Sequence, residues 1–66
     1  MKVWVNGELT EVDGIRNIAE LARHYGFPPS TVLIEHNSLA LHQREWTQRL
    51  LGEGDRIEFI RVVAGG

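Results

Sequence analysis

The residues best placed to take part in chemistry stand at the end of the chain, where Val63 and Ala64 lead into Gly65 and Gly66. A Gly-Gly end gains no packing and would lose more conformational freedom on ordering than any other pair. What it supplies is a thin, extendable peptide with an unhindered carboxylate. Such a tail can thread a narrow channel in another protein and react there. A solvated, frayed terminus is the plain alternative reading of the same four residues. Elsewhere the candidates disperse. His24, His36 and His42 fall at spacings that match no metal-ligand motif, and no Cys accompanies them. They read as surface histidines, with His24 in the last turn of a helix, where a cation is favourable. Ser30, Ser38 and Thr47 supply hydroxyls, and Asp13 and Asp55 supply carboxylates. Their spacing arranges no nucleophile, base and orienter, and both aspartates fall in turns. Gly52-x-Gly54 lacks the Lys and the following helix of a phosphate loop. No autonomous active site is therefore expected. Arg61, close to the tail, either steers the tail toward a partner by charge or simply projects from its strand.

Composition narrows the function classes further. A chain of 66 residues makes one small domain that buries only about 60% of the surface its unfolded form exposes. It has room for one core and none for a deep catalytic cleft. With no Cys, the core has no disulfide to lean on, and no side-chain persulfide or thioester can form on the chain itself. Any sulfur or acyl chemistry must use a terminus or a partner. The net charge is −2, with acidic and basic residues interspersed, so the basic stripe of a nucleic-acid binder is missing. No apolar run reaches the length of a membrane span. The start, Met1 to Gly7, is too short and too soon polar for a signal peptide, so a cytoplasmic location is expected.

The elements that must position the tail follow from hydrophobic periodicity. Lys2 to Asn6 alternates, with Val3 and Val5 on one side and Lys2, Trp4 and Asn6 on the other, which predicts a strand with one buried face. Asn6-Gly7 is a strong hairpin signal, since a type I′ turn needs φ > 0 at both central residues. Glu8 to Val12 is the returning strand. The differing parity of Leu9 and Val12 predicts a bulge or an early end, and Asp13-Gly14 closes it with a second turn. A helix is expected over 17–25. Asn17 caps it, Glu20 completes a capping-box-like pair, and Ile18, Leu21, Ala22 and Tyr25 form its apolar stripe. Gly26 and Pro28-Pro29 terminate it. Thr31 to His36 is a third strand, Asn37-Ser38 a turn, and Leu39 to Leu41 a short strand or strand-like loop. The segment 42–51 is consistent with a helix or with one helical turn. After the Gly52–Asp55 turn, Arg56 to Val62 is the last strand.

Four or five strands and one helix make a two-layer α+β domain with one sheet face covered and the other wet. We divide the chain into a domain at 1–62 and a flexible reactive tail at 63–66. Trp4, Ile60 and Val62 lie on the parity opposite to the buried residues. If the first and last strands are neighbours, these three make an apolar patch beside the tail. That patch is either a partner site or under-covered core.

Taken together, these residues resemble a known family. The run Asp55-Arg56-Ile57-Glu58-Phe59-Ile60-Arg61-Val62-Val63-Ala64-Gly65-Gly66 is similar to the end of the ThiS sulfur carriers of thiamin thiazole biosynthesis. Asn6-Gly7, the single helix, Asn37, Glu45-Trp46 and Gly54-Asp55 stand upstream in the order expected of that family. One departure is His42-Gln43, where members often carry Pro-Arg. The resemblance implies a ubiquitin-like β-grasp fold, a mixed four- to five-stranded sheet covered on one face by a single main helix. It implies that the chain is not itself an enzyme and binds no cofactor, ATP being used by an adenylating partner of the ThiF type. On this reading AMP is joined to the Gly66 carboxylate, and sulfur from a cysteine desulfurase route replaces it to leave a thiocarboxylate. Thiazole synthase (ThiG) accepts the sulfur. Gly65 gives access to the reacting carbonyl, and Trp4, Ile60, Arg61, Val62, Val63 and Ala64 face the partners. A carrier for molybdopterin or another metabolite, and a ubiquitin-like modifier or interaction module, share the Gly-Gly end.

Overall fold

The computed structural model describes residues 1–62. Two hairpins flank a single helix. Strands β1 (Lys2–Val5) and β2 (Glu8–Glu11) form the first, helix α1 (Ile18–His24) follows, and β3 (Val32–His36) and β4 (Leu39–Leu41) form the second. The last strand, β5 (Arg56–Arg61), inserts between the hairpins, so the sheet order is β2-β1-β5-β3-β4. Neighbours are antiparallel except β1 and β5, which run parallel. This is the mixed, five-stranded β-grasp sheet with one covering helix that was expected.

Both hairpin turns follow from their residues. Asn6 and Gly7 have φ of 50° and 82°, and Asn37 and Ser38 have 50° and 71°. These left-handed pairs match the right-handed twist of the flanking strands. β2 ends early, at Glu11. Val12 N–H still donates to Met1 C=O at 2.8 Å and its side chain turns into the core, while Leu9 stays on the open face.

Helix α1 keeps the predicted stripe. Ile18, Leu21 and Ala22 are buried, and Tyr25 is the C-cap, half-exposed and packed on Phe59 at 5.6 Å between ring centroids. At its start Asn17 Oδ1 accepts from Glu20 N–H at 2.8 Å. The reciprocal bond differs from expectation: Glu20 Oε1 accepts from Arg16 N–H, one residue before the cap. The isolated bridge of Asn17 to Leu50 is made by its neighbours, Ile18 N–H donating to Arg49 C=O and Leu51 N–H to Arg16 C=O. At the far end Phe27 N–H reaches Ala22 C=O and Gly26 N–H reaches Arg23 C=O, the paired bonds that close a helix over a left-handed Gly26.

The third strand begins one residue later than predicted, because Thr31 ends a 3-10 turn, Pro29–Thr31, with its Oγ1–H on Pro28 C=O. The ambiguous 42–51 segment holds one 3-10 turn, Gln43–Glu45. It does not continue as a helix because Trp46 plunges into the core, at 4% exposure, and Ile18 N–H and Ala19 N–H take the carbonyls of Arg49 and Trp46. Leu51 is buried and Leu50 points outward. One core results, between the inner sheet face (Val3, Val5, Ile34, Ile57, Phe59) and α1, with Trp46 and Leu51 closing one side.

Candidate functional site

The strand that leads to the tail is anchored by ladder partners on β1 and β3 and by side chains from both hairpin turns. β5 pairs with β3 from Ile57 to Arg61 and with β1 over Arg56 and Ile57, and two asparagine side chains fasten its backbone. Asn6 Oδ1 accepts from Phe59 N–H at 2.7 Å, and Asn37 Oδ1 accepts from Arg56 N–H at 2.8 Å. Each hairpin turn thus sends its own side chain onto β5. Asp55, just before the strand, accepts from Gly52 N–H and from His36 Nε2, both at 2.7 Å and both on Oδ2, and from Asn37 Nδ2 at 3.2 Å on Oδ1. At the C-terminal end Val62 N–H donates to Thr31 C=O at 2.9 Å.

His36 is not the surface histidine its lack of a motif suggested. It shares the inward parity of Val32 and Ile34 and is 5% exposed. Arg49 Nε–H donates to His36 Nδ1 at 3.2 Å, so Nδ1 offers its lone pair and the proton stands on Nε2, facing Asp55. Burial pushes the Asp55 carboxyl up. The hydrogen bonds from His36, Gly52 and Asn37 outweigh it and hold Asp55 below the ordinary aspartate value. The aspartate in the turn is therefore structural: it ties β3, the 46–52 segment and the start of β5 together. No hydroxyl is bonded to the pair, so it is not a charge-relay system among the described residues.

The open face arranges the predicted partner residues in rows across the strands. Trp4 stands opposite Leu9 on β2 and opposite Arg56 on β5, whose guanidinium carbon lies 5.6 Å from the indole centroid. Ile60 stands opposite Leu33 on β3, the two exposed at 44% and 57%, and Val62 follows at 46%. Between these rows lies a third, in which Glu58 faces Glu35. β1 and β5 are neighbours, as the patch requires. The structure brings Ile60 together with Leu33 and leads on to Val62, and separates the Ile60–Leu33 pair from Trp4, opposite Arg56, by four residues of β5, about 13 Å. Leu33 and Leu9 were not singled out from sequence, although the alternation through Val32-Leu33-Ile34 contains the signal for Leu33. Arg61 is on the other side: it pairs with Val32 and lines a groove with Tyr25, Phe27 and Pro28. Val63, Ala64, Gly65 and Gly66 lie outside the described residues.

Among the described residues, concave surface elsewhere offers no catalytic constellation. A groove of about 570 Å³ lies between the end of α1 and the 43–47 turn, with Ala22, Phe27, Pro28 and Trp46 in its walls. Its polar residues, Arg23, Gln43 and Thr47, supply no base next to a nucleophile. Among the described residues no group of three or more His, Asp and Glu is placed to hold a metal ion, and no helix is long and apolar enough to cross a membrane. At the position of the family departure, His42 N–H donates to Glu45 Oε1 at 2.7 Å, a bond that a proline there would lack.

Comparison with known proteins agrees with this geometry. The chain matches the ThiS family over residues 3–66. It is similar to the crystal structure of a thiamine biosynthesis protein (ThiS) from Geobacter metallireducens, with a TM-score of 0.84, 29% identity and all of both chains covered. The solution structure of a thiamine biosynthesis protein from the same organism gives a TM-score of 0.82 at 29% identity, covering all of this chain and 88% of that one. Among curated proteins it is 24% identical over 63 residues to the uncharacterized protein ycf40 of Trieres chinensis, covering 96% of this chain and 86% of that protein. It is also 29% identical, over its whole length, to a thiazole synthase of Magnetococcus marinus, of which it spans about a fifth. With the β-grasp sheet, its central last strand and a match that runs through the Gly-Gly end, the chain belongs to the ThiS family of sulfur carriers in thiamine biosynthesis.

Proposed function

We propose that this chain is a protein co-substrate rather than a catalyst, and that the Gly66 carboxylate is its reacting group. A carboxylate oxygen is a poor leaving group. A ThiF-type adenylyltransferase, using ATP, would join AMP to that oxygen and make it a good one. Sulfur delivered as a persulfide by a cysteine desulfurase route then displaces AMP at the carbonyl carbon to give an acyl disulfide, and a thiol cleaves its S–S bond, forming a disulfide and leaving a thiocarboxylate. Thiazole synthase takes the sulfur from it. Gly65 and Gly66 carry no side chain to obstruct nucleotide or nucleophile at that carbonyl. The observation that carries this reading is the extent of the family match, which takes in the Gly-Gly end with the domain. A thiazole synthase in which a fifth of the length is similar to this whole chain supports such an enzyme as the acceptor, here acting in trans.

Ile60, Leu33 and Val62 supply the docking surface for the adenylating partner, with Trp4 a second contact along β5. The test is intact-mass analysis after incubation with ATP, the adenylyltransferase and a sulfur donor. One oxygen at the C-terminus should be replaced by sulfur, and deletion of Gly66 should abolish that change while the circular dichroism and unfolding midpoint stay as in the parent. Stable isopeptide conjugates in extract with no such mass change would replace this reading with that of a modifier.

A further inference from the structure

The row of charge across the open face is arranged in a way the fold does not need. Glu35 and Glu58 are direct partners in the β3–β5 ladder. Their neighbours Ile34, His36, Ile57 and Phe59 are all buried, so both carboxylates stand on the outer face. Side chains at such positions have Cβ atoms about 5 Å apart, and like charges directly opposite oppose strand pairing. Nothing on the chain offsets this among the described residues. The ion pairs present are those of the N-terminal amine with Glu11 and Asp13, and of His36 with Asp55. Arg56, two residues before Glu58 on the same face, is laid over Trp4 instead. On the β4 side Glu35 faces Ala40, too small to cover it. Immediately beyond the carboxylates, toward the tail, comes the exposed Leu33–Ile60 pair and then Val62.

We propose that the Glu35–Glu58 pair is a cation-reading element of the docking face, and that its occupant is an arginine carried on an apolar surface of the adenylating partner. A planar guanidinium donates two parallel hydrogen bonds and can bridge two carboxylates. A lysine ammonium offers a point charge without that fork. The apolar residues around such an arginine would cover Leu33, Ile60 and Val62 and shield the charge pair from water and salt. Partner binding thus relieves a repulsion built into the free sheet, and a surface bearing Asp or Glu at that place is rejected. This rests on the preceding proposal that the sheet face docks the adenylating partner.

The experiment compares the full chain with Glu35→Gln, Glu58→Gln and the double variant, measuring unfolding midpoints and binding to the adenylyltransferase by calorimetry over a range of salt. The double variant is expected to unfold no earlier than the parent. It should bind at least about tenfold more weakly, with a flatter salt dependence. A pair that serves only the fold would instead lower the unfolding midpoint on substitution. Unchanged affinity in the double variant, while Ile60→Glu still weakens binding and the parent is still thiocarboxylated, overturns the arginine-reading role and leaves the carrier reading in place. Absence of thiocarboxylation in the parent is the separate failure of that carrier reading.

Discussion

Replacing Asp55 by Asn tests whether the anchoring of β5 has the origin assigned to it. The substitution keeps the side-chain volume and one carbonyl oxygen. That oxygen can accept from either side of the network but not from all three donors, and the new amide then confronts a donor. With the oxygen kept on His36 Nε2 and Gly52 N–H, the amide faces Asn37 Nδ2, now 3.2 Å from Oδ1. Two hydrogen bonds lose their charge assistance and the third becomes a donor–donor contact. A hydrogen bond to a charged group is worth about 1.5–3 kcal/mol against about 1 for a neutral one. The Asp55 side chain is 20% exposed, so part of that difference is screened. We expect a loss of about 2 kcal/mol at neutral pH. A domain of this size has roughly 3–10 kcal/mol to lose, and the midpoint should fall by about 10 °C.

The pH dependence separates the charge from the shape. The Asp55 carboxyl is held below its ordinary value in the folded state, so the folded protein binds this proton less readily than the unfolded chain. Its stabilisation is complete above the unfolded value of about 3.9 and is lost as pH falls through that value toward the lower folded one. Urea unfolding of parent and D55N from neutral pH downward should therefore show a gap that closes in acid, since the other carboxylates act alike in both proteins. A gap under about 0.5 kcal/mol at neutral pH, or one that stays constant through the acid range, would refute the account of Asp55 as an ionised tie.

Other substitutions probe separate parts of the argument. Asn6→Gly keeps the left-handed turn but leaves Phe59 N–H, part-buried, without its acceptor. It should cost about 1–2 kcal/mol, with Asn6→Asp restoring most of this in urea unfolding. Asn17→Ala removes the acceptor for Glu20 N–H and should cost about 1 kcal/mol by the same measurement. Ile60→Glu changes a half-exposed position, so its unfolding midpoint should stay within about 0.5 kcal/mol of the parent while affinity for the adenylyltransferase drops at least about tenfold. Leu33→Glu, across the strand, should reproduce that drop, and an unchanged affinity would remove the pair from the interface.

What could be read from the residues was governed by periodicity and turn chemistry. Val3 and Val5, Ile57 and Phe59, and the stripe of α1 announce which side faces inward, and Asn6-Gly7 announces the hairpin, because these rules act over a few residues. His36 was misread because its role depends on Asp55 and Arg49, distant in sequence, although its inward parity was available. Trp46 terminated a plausible helix for the same reason: burial of a large indole in the core outweighed the local preference of residues 42–51. The open face was legible residue by residue but not as a surface. Parity places Trp4, Ile60 and Val62 outward, whereas their distances depend on the β1–β5 register, in which Trp4 meets Arg56. Only that register reveals the Glu35–Glu58 row between them.

The same register explains why a carrier would be built with its last strand in the middle of the sheet. A tail extended from an edge strand would inherit that strand's fraying, since only one ladder would hold it. β5 is held by β1 at Arg56 and Ile57 and by β3 from Ile57 to Arg61, with Asn6 fastening Phe59 where the β1 ladder has ended, Asn37 fastening Arg56 and Asp55 bracing its start. The pairing with β3 continues to Arg61, opposite Val32, and Val62 adds one further bond to Thr31. The point at which the chain leaves the domain is therefore fixed relative to Leu33, Ile60 and Val62. A partner that docks on those residues receives the following four residues from a defined origin. Its binding energy on the sheet face then goes into placing the Gly66 carboxylate rather than into ordering the strand behind it. Weakening β5 by Asn6→Gly should on this argument slow thiocarboxylation beyond its effect on the folded fraction, whereas Asn17→Ala, which loosens α1, should slow it only in proportion to that fraction.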